Sequence, residues 1–138
     1  NKMNLLGRMK IVQSVAPVTS NTALTETEID CTGFDRVCHI INVGAMTANG
    51  TFDYKVQEDS ATGMATAADV TGAALTQVLA ATGASKVYAI DMPVNPAKPF
   101  QKAVAACGTA NVTVGAIAVL YEGSGTFPKT AATQAIVL

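Results

Sequence analysis

The sequence predicts a mainly β fold, an antiparallel β-sandwich or barrel-like domain with an extended N-terminal arm and a C-terminal tail. Three observations carry that expectation. Phe52, Tyr54 and Val56 alternate with Asp53, Lys55 and Gln57, the period-two pattern of a strand with one buried and one wet face. The run VCHII at 37–41 is apolar at nearly every position, as expected of a strand covered on both faces, in the middle of a sandwich or beneath a partner. Finally, 49% of residues are hydrophobic but only 5% are aromatic and none is Trp, so the apolar content is mostly Ala and Val. Side chains that small suit thin β layers better than a deep ligand pocket. Between the two strand patterns stands Asn49-Gly50, a turn signal in which Gly50 supplies positive φ cheaply, so 28–60 reads as a hairpin.

A chain of 138 residues is most simply one domain and buries roughly two-thirds of its unfolded surface. The pattern divides it into an arm at 1–20, a β domain at 21–122 and a tail at 123–138. Nine Lys and Arg against ten Asp and Glu give a net charge of −1, with no basic block. Capture of nucleic acid, which needs clustered cations to displace counterions, is not expected. Three cysteines, Cys31, Cys38 and Cys107, form no CxxC pair, and read as reduced, buried thiols of a cytosolically made protein. The N-terminal apolar stretch is broken by Gly7, Arg8 and Lys10, unlike a secretory signal. There is no uninterrupted apolar run of about 18 residues, so no membrane span is expected.

In chain order, the arm carries Leu5, Leu6, Met9, Ile11, Val12 and Val15 at irregular spacing, and Pro17 closes it. Gly7 and the β-branched Ile11-Val12 pair argue against a helix, which leaves an extended segment either frayed or docked. From 22 to 31, Thr25, Thr27, Ile29 and Cys31 alternate with Leu24, Glu26, Glu28 and Asp30, a strand with an acidic outer face. Carboxylates in a row about 7 Å apart on a flat strand do not wrap a cation. A short strand is expected at 66–70, two helical turns at 73–81 ended by Gly83, then strands at 86–92 and 100–107. The last strand, 112–121, is apolar on both faces and therefore central, with Gly115 allowing a bulge or close approach. The tail carries Phe127 and the run Ala135-Ile136-Val137-Leu138, which lies on its own sheet or docks on a neighbour by strand addition.

Catalytic chemistry finds little footing. The single histidine, His39, lies in the most buried strand pattern, and Cys38 beside it points to the opposite face, which excludes a Cys-His dyad. No nucleophile elbow, P-loop, zinc-protease or paired-cysteine motif is present, and no metal or cofactor is expected. The Asn49 and Asn111 sequons are compatible with glycosylation, although turn chemistry already explains Asn49-Gly50. Glu58, Asp59 and Ser60 read as a polar strand end.

Several runs nevertheless resemble a family. Asp30-Cys31-Thr32-Gly33-Phe34-Asp35-Arg36-Val37 resembles the Asp-Thr-Ala-Gly-Tyr-Asp-x-Val pattern of small structural proteins of tailed bacteriophages, encoded beside the major capsid protein. The likeness continues through Gly44-Ala45, through 51–60, and in Ala118-Val119-Leu120-Tyr121-Glu122-Gly123, so that it covers about 22–123. One departure stands at Lys98-Pro99-Phe100-Gln101-Lys102, where family members often carry an Arg-Tyr-x-Arg run. The resemblance implies a decoration, or cement, protein on the outer surface of a phage head. Such a protein bridges and stabilises major capsid protein subunits as a homo-oligomer, dimer or trimer. Contacts are then expected at the two apolar ends: Leu5, Leu6, Met9, Ile11, Val12 and Val15, and Phe127, Ile136, Val137 and Leu138. The alternatives are a head-to-tail connector or tail-tube component, and a carbohydrate-binding β module, the latter disfavoured by the scarcity of aromatic stacking platforms.

Overall fold

The computed structural model describes residues 5–123. After a 3-10 turn at Leu5–Gly7 come nine strands: β1 (Met9–Ser20), β2 (Ile29–Asp30), β3 (Phe34–Met46), β4 (Thr51–Asp59), β5 (Ala68–Ala74), β6 (Val78–Leu79), β7 (Lys86–Pro93), β8 (Phe100–Gly108) and β9 (Val112–Gly123). One helical turn, α1 (Ala80–Gly83), separates β6 from β7. The strands form two antiparallel sheets packed face to face as a sandwich. Sheet A has the order β1-β9-β3-β7, and sheet B the order β2-β8-β4-β5, with β6 also paired to β4.

Strand alternation builds the core. From sheet A, Val37, Ile41, Val43, Val114, Ala116, Ala118 and Leu120 point inward; from sheet B come Phe52, Tyr54, Val56, Ala103, Ala105 and Cys107. Size is matched across the β4–β8 ladder, where Tyr54 lies opposite Ala105, Phe52 opposite Cys107 and Val56 opposite Ala103. The few aromatics are thus accommodated by small neighbours, which is why an alanine-rich chain still fills its interior. As expected, β3 and β9 are interior strands of their sheet, and β4 has one buried and one wet face.

Four local expectations need correction. The 28–60 segment is not a hairpin, because β3 belongs to sheet A and β4 to sheet B, so Asn49-Gly50 carries the chain across the sandwich. Positive φ falls on Asn49 (68°), while Gly50 is required for close approach: a Cβ there would stand 2.9 Å from the Thr47 carbonyl oxygen. The second correction concerns the arm at 1–20. Met9–Ser20 is strand β1, hydrogen-bonded to β9, with Ser14 and Val15 buried. Register shifts between Gln13 and Val15 and between Val15 and Val18 break the period of two, so the apolar spacing looked irregular in sequence. Pro17 sits at the second bulge of this edge strand and covers Gly115, whose absent Cβ would meet Pro17 Cγ at 3.2 Å.

The third correction is at 22–31, where only Ile29–Asp30 forms a ladder with β8 and Ala23 makes an isolated bridge to Ala106. Between them five residues of this chain (24–28) face four of β8 (102–105), and the Glu26 side chain replaces a backbone acceptor by taking the Ala105 N–H at 2.8 Å. Its carboxylates are not a solvated row: Glu26 and Glu28 are half-buried while Thr25 and Thr27 face water. The fourth is the helix at 73–81. Alanine favours helix, yet β4 needs an edge partner, so this stretch runs along it as the end of β5 and β6, leaving α1 alone as helix. The strand expected at 66–70 starts at Ala68 and continues to Ala74.

Candidate functional site

The feature left over once the core is built is the outer face of sheet A. Cross-strand register places its side chains in rows. Ile11, Val119 and Cys38 share one row with Asp91; Gln13, Ile117, Ile40 and Ala89 form the next; Gly115, Asn42 and Val87 the one after. Strand alternation dictates this, because Ala118, Leu120, His39 and Ile41 point to the core and their neighbours must point out. Val87 is 66% exposed and Ile117 38% exposed, although both are large and apolar. Where β1 bulges beside Pro17, the face deepens into a groove of about 450 Å³ lined by Gln13, Val15, Pro17, Ile40, Val87 and Ile117.

Polar groups close the face at both ends. At one end Tyr121 Oη donates to Asp91 at 2.6 Å, accepts from Arg36 Nε at 3.0 Å, and Arg36 Nη2 meets Asp91 at 3.3 Å. The bond to Asp91 is the main cause that holds the Tyr121 phenol above its ordinary pKa. At the other end Thr19 and Thr113 join hydroxyls at 2.7 Å. With strands about 4.8 Å apart and rows about 7 Å apart, the face between these ends covers on the order of 500 Å², with Gln13 and Asn42 standing among its apolar side chains. A contiguous apolar patch on a face of this kind commonly marks an interaction surface.

The sequence candidates distribute unevenly over this geometry. Ile11 lies on the outer face. Val15 is a core residue that also borders the groove, and Val12 packs against the core, because β1 supplies an inner face once it joins the sheet. Met9 is buried opposite Tyr121, Leu6 is half-buried, and Leu5 is 69% exposed in the 3-10 turn. Phe127, Ile136, Val137 and Leu138 lie outside the described residues. Ile40, Val87, Ile117 and Val119 were missed as contact candidates. Their signal was present, since VCHII and VTVGAIAVLY are apolar on both faces, but only the outer side of sheet A, uncovered among the described residues, turns that pattern into a surface.

The remaining polar chemistry is structural. His39 is buried and bridges the sheets, with Nε2 donating to Gln101 Oε1 at 2.9 Å and Nδ1 accepting from Tyr54 Oη at 3.0 Å. Ser14 Oγ completes the chain to Tyr54 at 3.4 Å. Burial lowers the His39 pKa below 6.5, partly offset by the Gln101 bond, so the ring is neutral and this tautomer satisfies both nitrogens. Desolvation pushes Tyr54 up to about 12. Gln101 Nε2 and Glu28 Oε1 are buried without a hydrogen-bond partner among the described residues.

At the end of β4, the Asp59 carboxylate accepts from Ser60 N at 2.6 Å, Thr66 N at 2.8 Å and Thr66 Oγ1 at 2.9 Å. Desolvation alone would raise its pKa, but these donors together bring it below 3.8. Asp59 therefore ties down the 60–66 loop. Burial pushes the Cys31 thiol up to about 12, with the Asp30 charge adding to it, and Cys107 is raised by burial as well. All three cysteines are free. Among the described residues no group of three or more His, Cys, Asp or Glu is placed to hold a metal ion, and no helix is long and apolar enough to cross a membrane. Set against known proteins, the chain matches no family model and no curated protein.

Proposed function

We propose that this chain is a structural virion protein, a decoration or cement protein that binds the outer surface of a tailed-phage head and bridges major capsid protein subunits. The single observation that supports it best is the apolar outer face of sheet A, which a protein working alone in water does not need. Two of the sequence runs that resemble phage head proteins border this face, since 30–37 leads into β3 and 118–123 is the end of β9, while a third, 51–60, is β4 of sheet B. An area near 500 Å² per copy falls below the roughly 800 Å² per partner of a standard interface, and so suits a weak contact multiplied over many copies on a shell. Contact through the sheet face also explains why β3 and β9 are apolar on both sides.

Co-sedimentation of the purified chain with preassembled phage shells, followed by counting copies per particle, tests this reading. Hundreds of copies per particle are expected. A handful of copies would overturn it in favour of a connector, and failure to sediment with shells would overturn it altogether.

A further inference from the structure

Strand β7 closes sheet A on one side, pairing with β3 and, among the described residues, with no strand beyond it. Two facts fix which of its backbone groups face outward. Val94 N donates to Asp35 O at 2.9 Å, one pair beyond Arg36 and Pro93, so the hydrogen-bonded pairs with β3 fall on the even residues of β7. Pro93, which has no N–H to give, accordingly stands at a position that faces away from β3. Val87, Ala89 and Asp91 therefore direct both N–H and C=O out of the sheet, and all three residues are exposed.

The ends of this row are already finished. Ser85 gives its N–H to Gly44 at 2.9 Å, Lys86 sets a charge at the start of the edge, and Pro93 leaves no donor bare at its end. What stays open is a short row of alternating donors and acceptors centred on Ala89, and another extended backbone is what satisfies such a row. The row is also its own complement. Set antiparallel about a two-fold axis at Ala89, Val87 of one copy faces Asp91 of the other, Ala89 faces Ala89, and every outward N–H meets a carbonyl. Pro93 then falls opposite Ser85, whose N–H is in use. Charge selects the same register, because it keeps the two Asp91 side chains roughly 14 Å apart, whereas a slide of one pair toward Pro93 brings them within about 8 Å on one face.

We propose that two copies of this chain pair β7 to β7 in this register, so that two four-stranded A sheets join into one of eight strands. The two outer faces then lie side by side and together cover on the order of 1,000 Å², above the roughly 800 Å² per partner of a standard interface. The dimer thus supplies the docking area that one face lacks. The inference rests on the open edge of β7 and not on the partner of the outer face being a shell.

Ala89 provides the test, because only this register makes it face itself across the axis. The measurements are sedimentation equilibrium from micromolar to millimolar chain, and amide exchange at Val87, Ala89 and Asp91, both without shells. The native chain is expected to dimerise, with these three amides protected in step with the dimer. Ala89→Lys and Ala89→Asp each set like charges opposite one another and are expected to weaken the dimer by roughly tenfold or more with unchanged circular dichroism, while an equal mixture of the two restores it. A native chain that stays monomeric with the three amides exchanging freely would overturn the proposal. Protection of those amides in a monomer would overturn it in favour of an occupant from the same chain. A dimer that survives Ala89→Lys, or a mixture no tighter than either variant alone, would do so in favour of a different contact. Should charge at this position disturb the fold, Ala89→Pro, which removes only an outward N–H, replaces it and is expected to weaken the dimer to the same degree. Because no shell is present, failure here is distinct from failure to co-sediment.

Discussion

The outer faces of the two sheets differ although both belong to one small sandwich. On sheet B, β4 presents Asp53, Lys55 and Gln57, each tied to a neighbour: Gln77 Nε2 donates to Asp53 at 3.0 Å, and Asp69 accepts from Lys55 at 2.9 Å and from Gln57 at 2.8 Å. On sheet A the corresponding rows are Ile11, Val119, Cys38, Ile117 and Ile40, with charge confined to the Arg36–Asp91 pair at one end. The first face is finished by water and its own side chains. The second is apolar and uncovered among the described residues, so strand amphipathicity in this chain does not simply divide core from water.

The comparison is broken most severely from the edge of sheet A. Deleting 1–20 removes β1 and uncovers Val114, Ala116 and Ala118, so the truncated chain is expected to show no cooperative transition in denaturant. A two-state unfolding curve with native secondary structure would show that β1 is the arm the sequence suggested. Next in size is the layer both faces share. Phe52→Ala opens a cavity between the sheets and is expected to cost about 3–5 kcal/mol in chemical denaturation.

The cross-sheet bonds of His39 give a smaller, pH-dependent effect. Its folded pKa lies below the ordinary 6.5, so as pH falls past 6.5 the unfolded chain takes up a proton that the folded chain refuses. Stability is therefore full above pH 6.5 and declines below it, with a slope of at most about 1.4 kcal/mol per pH unit. Asp30 and Asp69, held below 3.8 by hydrogen bonds from Thr32 and from Lys55, lose their contribution in a separate, more acid range. Denaturant midpoints between pH 8 and 5 are expected to fall in the native chain and to stay flat over that window in His39→Leu. Parallel pH profiles would remove His39 as the cause.

Least costly to the fold are changes on the outer faces themselves, where the contrast is sharpest in binding. Lys55→Ala breaks an exposed ion pair and is expected to change stability by about 1 kcal/mol or less, without effect on shell co-sedimentation. Ile117→Lys also leaves the domain folded, but is expected to weaken co-sedimentation at least tenfold. Equal binding by the two variants would erase the distinction between the faces.

Much of the fold was legible wherever one strand carried its own pattern. Phe52, Tyr54 and Val56 point inward as the alternation required, and 86–92, 100–107 and 112–121 are strands within a few residues of the expected bounds. The errors fall where the partner decides. Met9–Ser20 became a strand because β9 needed an edge partner, and two bulges hid its period. Ala73 and Ala74 became strand because β4 needed one too. The candidate site followed the same rule: Ile11 was named from sequence, while Val87 and Ile117 acquired meaning only from the sheet order that lays them side by side.

By itself the sequence determined a mainly β chain with small core residues, its long central strands and a surplus of apolar positions on β3 and β9, since period and side-chain size are local properties. Only the tertiary structure decided which sheet each strand joined, and hence that 28–60 crosses the sandwich instead of closing a hairpin. It also decided which side of β3 and β9 faces the core and which lies on the outer face of sheet A. Register and sheet order arise from pairing between residues far apart in the chain, and no local pattern encodes which distant backbone will satisfy an edge.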